Sequence, residues 1–201
     1  MRKKQTYSIA IFILLISIIW YFRYSYINQQ YSNFSNIEYK IFKTGEDVSF
    51  SSDFLASREC IDGYSIRVDA FEIHDYKQFI DQQNLTLERE GLLPGKIALV
   101  KITLKNDTST ADGIPLTDFK LHGIDSYALI DRTLLTSINP VLQGAYGIKL
   151  LPGSSLQIYL PFALFRKQYR YSTWNKLENY SFYLRVTAFP TVKDVCVQET
   201  N

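Results

Sequence analysis

An uncharged apolar run near the N-terminus, QTYSIAIFILLISIIWYF from Gln5 to Phe22, most constrains what this chain can become. At a helical rise of 1.5 Å per residue, the run is about long enough to cross the ~30 Å hydrocarbon core of a bilayer. Its polar residues do not recur at a helical spacing, as they would in a helix packed on a soluble core. We therefore expect a transmembrane segment over residues 5–27.

The residues that flank the run indicate its orientation. Three basic residues form a tail at positions 1–4, whereas one basic residue follows the run closely. Basic residues are retained in the cytoplasm, and aromatic rings with a polar tip settle at the membrane interface, so the N-terminus is predicted to be cytoplasmic. The predicted interfacial anchors are Arg2, Lys3, Lys4, Trp20, Tyr21, Arg23 and Tyr24.

A cleaved signal peptide is the main alternative to an uncleaved signal anchor. The residues after Phe22 hold no pair of small residues at a cleavage spacing, and the first cysteine, Cys60, is too distant to accept a lipid. We expect an uncleaved anchor, with cleavage between Ser25 and Ser35 as the alternative. The protein is then a single-pass protein of the cell membrane whose C-terminal domain is extracytoplasmic.

The charge balance differs on the two sides of this anchor. The chain carries 22 basic and 20 acidic residues, but four of the basic ones lie in the first 23 positions. Nucleic acid binding needs clustered Lys and Arg, and the remaining chain has a slight acidic excess, so nucleic acid is not an expected partner. A polar stretch at residues 28–36 reads as a stalk, and residues 37–201 have the length of one domain.

Alternation of apolar and polar residues predicts strands in the rest of the chain. It is clearest over residues 64–73, 96–105, 155–165 and 181–189, the last of which we take as the final strand. In the second of these, one face is wholly apolar and is expected to point into the core. That face consists of Ala98, Val100, Ile102 and Leu104.

Weaker signals complete the predicted fold. Residues 37–42 resemble an edge strand, a bulge is expected near Ala70 and Phe71, and Pro161 suggests an edge strand or a bulge. Residues 75–92 are the one stretch with helical spacing. Several short strands with turns between them predict a mainly β fold, an immunoglobulin-like antiparallel β-sandwich behind one N-terminal transmembrane helix. A small closed barrel is the alternative.

Several segments together resemble a known but uncharacterised family. They are EYKIFKTGEDVSF at residues 38–50, KIALVKITLKND at 96–107, LPGSSLQIYLPFAL at 151–164 and YLRVTAFP at 183–190. In this order, after a membrane signal, they resemble an uncharacterised family of exported proteins from Firmicutes, which are Gram-positive bacteria. That family is similar in layout to the secreted immunoglobulin-like modules of bacterial envelope lipoproteins. The resemblance implies a fold and a compartment, and it transfers no catalytic residue.

The two cysteines lie in the part of the chain predicted to be extracytoplasmic. Cys60 precedes the first long strand and Cys196 follows the last predicted one, so a disulfide between them would join the two ends of the domain. Oxidising compartments permit such a bond. Two unpaired thiols are the alternative.

No combination of residues points to a reaction or a cofactor. His74, expected in a solvated turn, and His122 have no partner at a metal-ligand spacing, and no G-x-S-x-G sequence is present. The loop at residues 106–113 holds carboxylates and hydroxyls that calcium prefers, but an ordinary hairpin loop explains them too. We predict no catalytic, cofactor-binding or metal-binding residue.

A run of cations and aromatic residues is the candidate contact surface. It consists of Arg166, Lys167, Tyr169, Arg170 and Tyr171. Such residues suit an anionic lipid or cell-wall polymer, because they offer both charge and ring stacking. A solvated loop is the alternative.

The expected function is therefore a non-enzymatic, membrane-anchored binding or interaction module outside the cytoplasm. Its expected partners are the lipid bilayer and an unidentified protein or cell-wall ligand. The alternative is an accessory or structural subunit of a membrane complex for transport or immunity. A hydrolase with an unrecognised site is a third possibility.

Overall fold

A computed structural model describes residues 13–26, 37–56, 61–87, 91–108, 113–123 and 126–198. The chain divides into two compact units, Met1–Ile37 and Glu38–Asn201. In the first unit, residues 13–26 form a helix, α1. Among the described residues, no helix has both the length and the apolar character needed to cross a membrane. Residues 5–12 of the predicted anchor and the predicted stalk at 28–36 lie outside the described residues.

The second unit contains eleven strands and three short α-helices among its described residues. The strands are β1 (Glu38–Lys43), β2 (Asp47–Ser49), β3 (Tyr64–Asp75), β4 (Lys96–Asn106), β5 (Ile114–Pro115), β6 (Lys120–Gly123), β7 (Ser126–Leu129), β8 (Gly147–Ile148), β9 (Ser154–Leu164), β10 (Phe182–Thr187) and β11 (Thr191–Gln198). The helices are α2 (Tyr76–Gln82), α3 (Arg132–Ile138) and α4 (Tyr171–Trp174). Single 3-10 turns occur at Leu116–Asp118, Pro140–Leu142, Arg166–Gln168 and Leu177–Asn179.

Two main sheets share one apolar core. Sheet A has the order β1-β11-β10-β6-β7 and sheet B the order β2-β3-β4-β9, while β5 and β8 form a small separate ladder. The predicted inward face of β4 is confirmed, because its four side chains are fully buried in a cluster that also contains residues of sheet A. The mainly β prediction is confirmed. In the described part of the chain no sheet closes into a barrel.

The longest strand, β3, contains the bulge that the sequence predicts. Val68 pairs with Ile102 and Ala70 with Lys101, so Asp69 is the extra residue. After the bulge the alternate set of side chains faces the core, and Phe71 and Ile73 pack against it. The extra residue thereby keeps both halves of a 12-residue strand apolar on the inner side.

The prediction that residues 181–189 form the last strand is wrong. β10 ends at Thr187, the chain turns through a cis Phe189–Pro190 peptide, and β11 follows. β11 lies inside sheet A, antiparallel to β10 and parallel to β1. The predicted first strand is confirmed as an edge strand, and β9, which contains Pro161, is an edge of sheet B.

Two helices cover one end of the outer face of sheet B. Asp75 caps α2 by accepting a hydrogen bond from the backbone N–H of Gln78, and Asp131 caps α3 by accepting one from Leu134. Both caps satisfy backbone donors that a helix start leaves unpaired. The helices pack on two outward side chains of β4 in a second apolar cluster. Its buried members are Tyr76, Phe79, Ile97, Leu99 and Leu134.

A buried ion pair fastens the segment after β2 to sheet A. Lys193 Nζ lies 2.7 Å from Asp53 Oδ2, and the side chains of the pair are only 9% and 6% exposed. The ammonium also donates to the backbone carbonyls of Ser49 and Phe50. The other carboxylate oxygen of Asp53 accepts a hydrogen bond from the backbone N–H of Thr191. Partners on every side offset the cost of removing both charges from water.

Candidate binding surface

The predicted run of cations and aromatic residues folds into two short turns directly after β9. Gln168 closes the first turn: its backbone N–H donates to the carbonyl of Phe165, and its side-chain oxygen accepts from the Phe165 N–H. Helix α4 then begins at Tyr171. Because the turns reverse the chain twice, the cationic and aromatic side chains of this run are brought onto one surface.

Arg166 is the centre of this surface. Its guanidinium lies 5.0 Å from the ring centroid of Tyr171 and 5.9 Å from that of Trp174, and its Nη1 donates to the carbonyl of Tyr169. A cation held over two rings is attracted by the negative charge density of the ring faces. We call Arg166, Lys167, Tyr169, Arg170, Tyr171 and Trp174 the basic-aromatic cluster.

The rings of the cluster differ in their surroundings. Tyr169 and Trp174 pack on each other at 5.7 Å and against the core. Burial raises the pKa of the Tyr169 hydroxyl, and a hydrogen bond with Ser126 opposes part of that rise. Trp174 also lies on Gly95, where a Cβ would come within 2.7 Å of the indole ring. The inner rings are thus fixed by the fold.

The outer members of the cluster face solvent. Tyr171 is 74% exposed, and Lys167 and Arg170 are exposed as well. Residues 165–176 contain four cations and no carboxylate. The cluster is therefore a positively charged surface with an accessible ring, supported by rings that cannot move without disturbing the core.

An open groove of about 640 Å³ adjoins the cluster. Phe165 and Gln168 from the cluster's first turn form one wall, and Tyr127 from β7 and Arg132 from α3 form others. The Arg132 guanidinium lies 5.6 Å from the ring centroid of Tyr146, which repeats the cation-ring arrangement. The neighbouring carboxylate of Asp131 is buried at the helix cap. The exposed charge of this groove is thus positive.

The five residues predicted as a contact surface do lie together, but the structure adds one partner from the same segment and two from distant parts of the sequence. Trp174, Ser126 and Arg132 were not predicted. Cation-aromatic pairs at short spacing, such as Arg170-Tyr171 followed by Trp174, were the available signal for the first of these. No local pattern signals the other two, since β7 and α3 come near the cluster only by packing against β9.

The two histidines lie in different environments. His74 is not in a solvated turn as expected. It lies in β3, with Nε2 2.8 Å from Glu72 Oε2 and its ring against Phe79. His122 has a buried Nε2 without a hydrogen-bond partner in the described structure, and burial followed by the charge of Arg185 lowers its pKa. Among the described residues, no three potential metal ligands come together.

Several predicted residues lie outside the described structure. They include Cys60, so the disulfide with Cys196, which is buried in β11, stays a prediction. Arg2, Lys3 and Lys4 and part of the loop at 106–113 are outside it too. Of the other predicted interfacial anchors, the Trp20 ring stacks on Tyr24 at 5.3 Å, and Tyr21 and Arg23 are exposed on α1.

Comparison of the sequence with known protein families identifies one family to which this chain belongs. Residues 39–193 match the family described as Domain of unknown function (DUF5028). The chain belongs to this family. The DUF5028 match runs from β1 into β11 and so includes the basic-aromatic cluster. The expected membership of an uncharacterised family is thereby confirmed, whereas the bacterial group and the immunoglobulin-like relationship stay predictions. No curated protein and no solved structure matches the chain.

Proposed function

We propose that this DUF5028 protein is a non-enzymatic binding module, held at the cell membrane by its N-terminal segment and binding a polyanionic polymer of the cell surface. The observation that carries the proposal is Arg166 fixed over two rings, with Lys167 and Arg170 exposed beside it. Such a surface attracts repeating phosphates by charge, and its exposed ring offers a stacking face to the sugars or polyols between them.

The chemistry of the cluster favours binding over catalysis. Its cations and rings can neutralise and orient an anion, but proton transfer needs a positioned acid and base. Arg132, which lines the groove beside the cluster's first turn, adds a further exposed cation to this side of the domain. The groove is wide and open, as suits a polymer that passes over the surface.

The membrane attachment is part of the same proposal. The described part of the apolar run, residues 13–22, is helical, and its large apolar side chains are exposed. Exposed apolar side chains on a helix are stable in lipid and unfavourable in water. The two-sheet architecture supports the proposal of an immunoglobulin-like domain.

The test measures binding of poly(glycerol phosphate) to the full chain in nanodiscs of neutral phosphatidylcholine. We expect binding that weakens as the salt concentration rises, because salt screens exposed charges. The double variant Arg166→Gln/Arg170→Gln should bind about tenfold more weakly, which is the scale of losing two exposed charge contacts.

The matched control is Lys40→Gln/Lys43→Gln. It removes two exposed cations from β1, which lies at the opposite edge of sheet A from β7. An equal loss of polymer affinity in both double variants would show that the effect comes from the overall charge of the protein, and would reject the cluster as the binding site. Binding of anionic vesicles without binding of the polymer would reject the polymer as the ligand.

A second function, an accessory subunit of a membrane complex, is favoured by a different surface. The edge strand β1 presents Tyr39 and Ile41 outward, each 69% exposed. An edge strand with exposed apolar side chains can add to the sheet or apolar surface of another protein. A partner there would cover both side chains.

This alternative is tested with a photocrosslinking residue at Ile41 in intact cells, and with the same residue at exposed Glu178 as the control. A single membrane protein crosslinked from position 41 and not from 178 would support the subunit function. The same products from both positions, or none from position 41, would reject it.

A further inference from the structure

A second groove, of about 480 Å³, lies on the outer face of sheet B between α2 and α3. Its floor is formed by outward side chains of β3, β4 and β9, and its walls by the C-terminal ends of the two helices. The volume is within the range of small-ligand sites. This groove is separate from the basic-aromatic cluster, and a ligand bound in it does not depend on the function proposed for that cluster.

A buried asparagine ties one wall of the groove to its floor. Asn139, directly after α3, accepts a hydrogen bond from the Tyr159 N–H and donates to the Tyr159 carbonyl, both at 2.8 Å. Its amide also donates to the carbonyl of Leu135 in α3. These bonds tie the end of the helix to the middle of β9. The backbone of Tyr159, whose side chain lines the groove, is thus held in place by α3.

The polar groups that line the groove can both donate and accept hydrogen bonds. A carboxylate, an imidazole, side-chain amides, a hydroxyl and a phenol face it, from Glu72, His74, Gln82, Gln83, Ser137 and Tyr159. Apolar side chains, including Phe79 and Leu99, lie between them. The lining of the groove therefore combines hydrogen-bonding groups with apolar surface that a ligand can contact.

The charges in the groove disfavour an anionic ligand. Among the described residues that line it, none is Lys or Arg, and the one carboxylate, Glu72, lies 2.8 Å from His74 Nε2. One cation outside the lining, Lys101, lies over the Tyr159 ring, with its Nζ 5.7 Å from the ring centroid. An anion would meet a carboxylate without a compensating cation in the lining. A neutral ligand rich in hydroxyls would meet suitable partners.

The floor of the groove also disfavours an extended peptide. β4 lies between β3 and β9 and pairs with both along its length, so its backbone groups are already used. A peptide that binds by adding a strand needs an open sheet edge. β9 is an edge of sheet B, but at the groove the backbone N–H and carbonyl of Tyr159 are bonded to the side chain of Asn139. The floor therefore offers side chains to a ligand. Carboxylates and amides present two polar atoms in one plane, a spacing that matches adjacent hydroxyls on a sugar ring.

We propose that the groove between α2 and α3 binds a neutral saccharide, oriented by Glu72 and Gln82 and held against Tyr159. The polar side chains bond the hydroxyls, and the ring and aliphatic surfaces contact the apolar face of the sugar. Shallow sites of this size without buried charge bind weakly, so a dissociation constant of about 1 mM is expected.

The test is saturation-transfer difference NMR on the full chain with chitotetraose, an uncharged tetramer of N-acetylglucosamine. The protein is kept in a detergent without a sugar headgroup, so that the detergent does not compete. We expect saturable transfer, and about fivefold weaker binding for each of Glu72→Gln and Gln82→Ala, the scale of one lost hydrogen bond.

The matched control is Gln78→Ala, the same substitution on the same helix at an exposed residue that does not line the groove. Binding within about twofold of wild type is expected there, since no contact is removed. No saturable transfer up to about 20 mM, far above the expected constant, would overturn the proposal. It would also be overturned by equal losses in Gln78→Ala and Gln82→Ala, or by equally tight binding of a Gly-Ala tetrapeptide.

Discussion

The outer faces of the two sheets differ in how they meet solvent. On sheet B, α2 and α3 cover Ile97 and Leu99 at one end, and polar side chains bonded to Asp69 cover the middle. On sheet A, the two edge strands expose apolar side chains, Tyr39 and Ile41 on β1 and Tyr127 and Leu129 on β7.

This difference suggests that the outer face of sheet B contributes mainly to stability, and that of sheet A mainly to the binding of partners. A side chain covered by a helix contributes to the free energy of unfolding, whereas an exposed one contributes mainly when a partner covers it. The middle of the outer face of sheet A is polar: Arg185 bonds both carboxylate oxygens of Asp194, at 2.7 and 2.9 Å. Apolar surface on sheet A is therefore confined to its edges, where a neighbouring molecule can reach it.

The largest expected effect on the free energy of unfolding comes from the same change, Leu to Ala, made once at the outer face of each sheet. Leu134→Ala removes a fully buried side chain between α3 and sheet B, and should lower the free energy of unfolding by about 2 to 5 kcal/mol. Leu129→Ala removes a side chain that is 52% exposed on sheet A, and should change it by less than about 0.5 kcal/mol. Urea unfolding of both variants measures the difference, and similar costs would show that the face of sheet A is covered in the intact protein.

An intermediate effect is expected from the polar cover of sheet B. Asp69 accepts hydrogen bonds from Arg67, Thr103 and Gln157, which lie on three neighbouring strands. Asp69→Asn places an amide donor among these donors and should cost about 1 to 3 kcal/mol. Asp194→Asn on sheet A, where the carboxylate bonds one arginine, is the matched comparison and should cost less. A larger cost for Asp194→Asn would contradict the idea that sheet B depends more on its polar cover.

The contribution of Asp69 depends on pH in a defined direction. Burial alone would raise the pKa of its carboxyl, but the hydrogen bonds from Thr103, Arg67 and Gln157 outweigh burial and lower it. A lowered pKa means that the folded state binds its proton less readily than the unfolded state. The stabilisation is therefore present above the ordinary pKa of 3.8 and is lost as the pH falls through the lowered value. Asp69→Asn should remove this loss.

The smallest effect concerns His122 on sheet A. Burial, and then the charge of Arg185, lowers the pKa of this imidazole below its ordinary value of 6.5. The unfolded chain thus takes up the proton first, and the domain should lose stability as the pH falls below 6.5. His122→Gln should flatten the pH dependence in that window when thermal unfolding is compared at pH 7.5 and 5.5. An unchanged slope in the variant would assign the dependence to other groups.

The strands predicted from the sequence are those in which side chains on one face are apolar and those on the other are largely polar. β3, β4 and β9 alternate between apolar and polar side chains, and the bulge at Asp69 is visible as a one-residue shift in that alternation. β11 lies inside a sheet, where Val192, Lys193, Val195, Cys196 and Val197 are all buried, so no alternation appears. A buried lysine inside the strand further hides it, because its burial depends on the distant contacts with Asp53 and with the carbonyls of Ser49 and Phe50.

The helix α3 and some residues of the candidate surface were not predicted from the sequence, for different reasons. Asp131 followed by Leu134, Leu135 and Ile138 carries a cap and a helical spacing, but seven residues are too few to stand out from a loop. Five of the six members of the basic-aromatic cluster were predicted because they lie close together in sequence, and only Trp174 was missed. Ser126 and Arg132 come near it only because β7 and α3 pack against β9, and no local pattern in the sequence contains that contact.

The parallel pairing of β1 with β11 has a mechanical consequence. Glu38 begins β1 at one end of the pair, and β11 runs in the same direction to Gln198 at the other end. Tension applied to the chain at Glu38 and Gln198 therefore slides the two strands past each other, so that the hydrogen bonds of the pair share the force and do not open one by one. An antiparallel first strand would unzip under the same tension, whereas this arrangement resists being pulled apart.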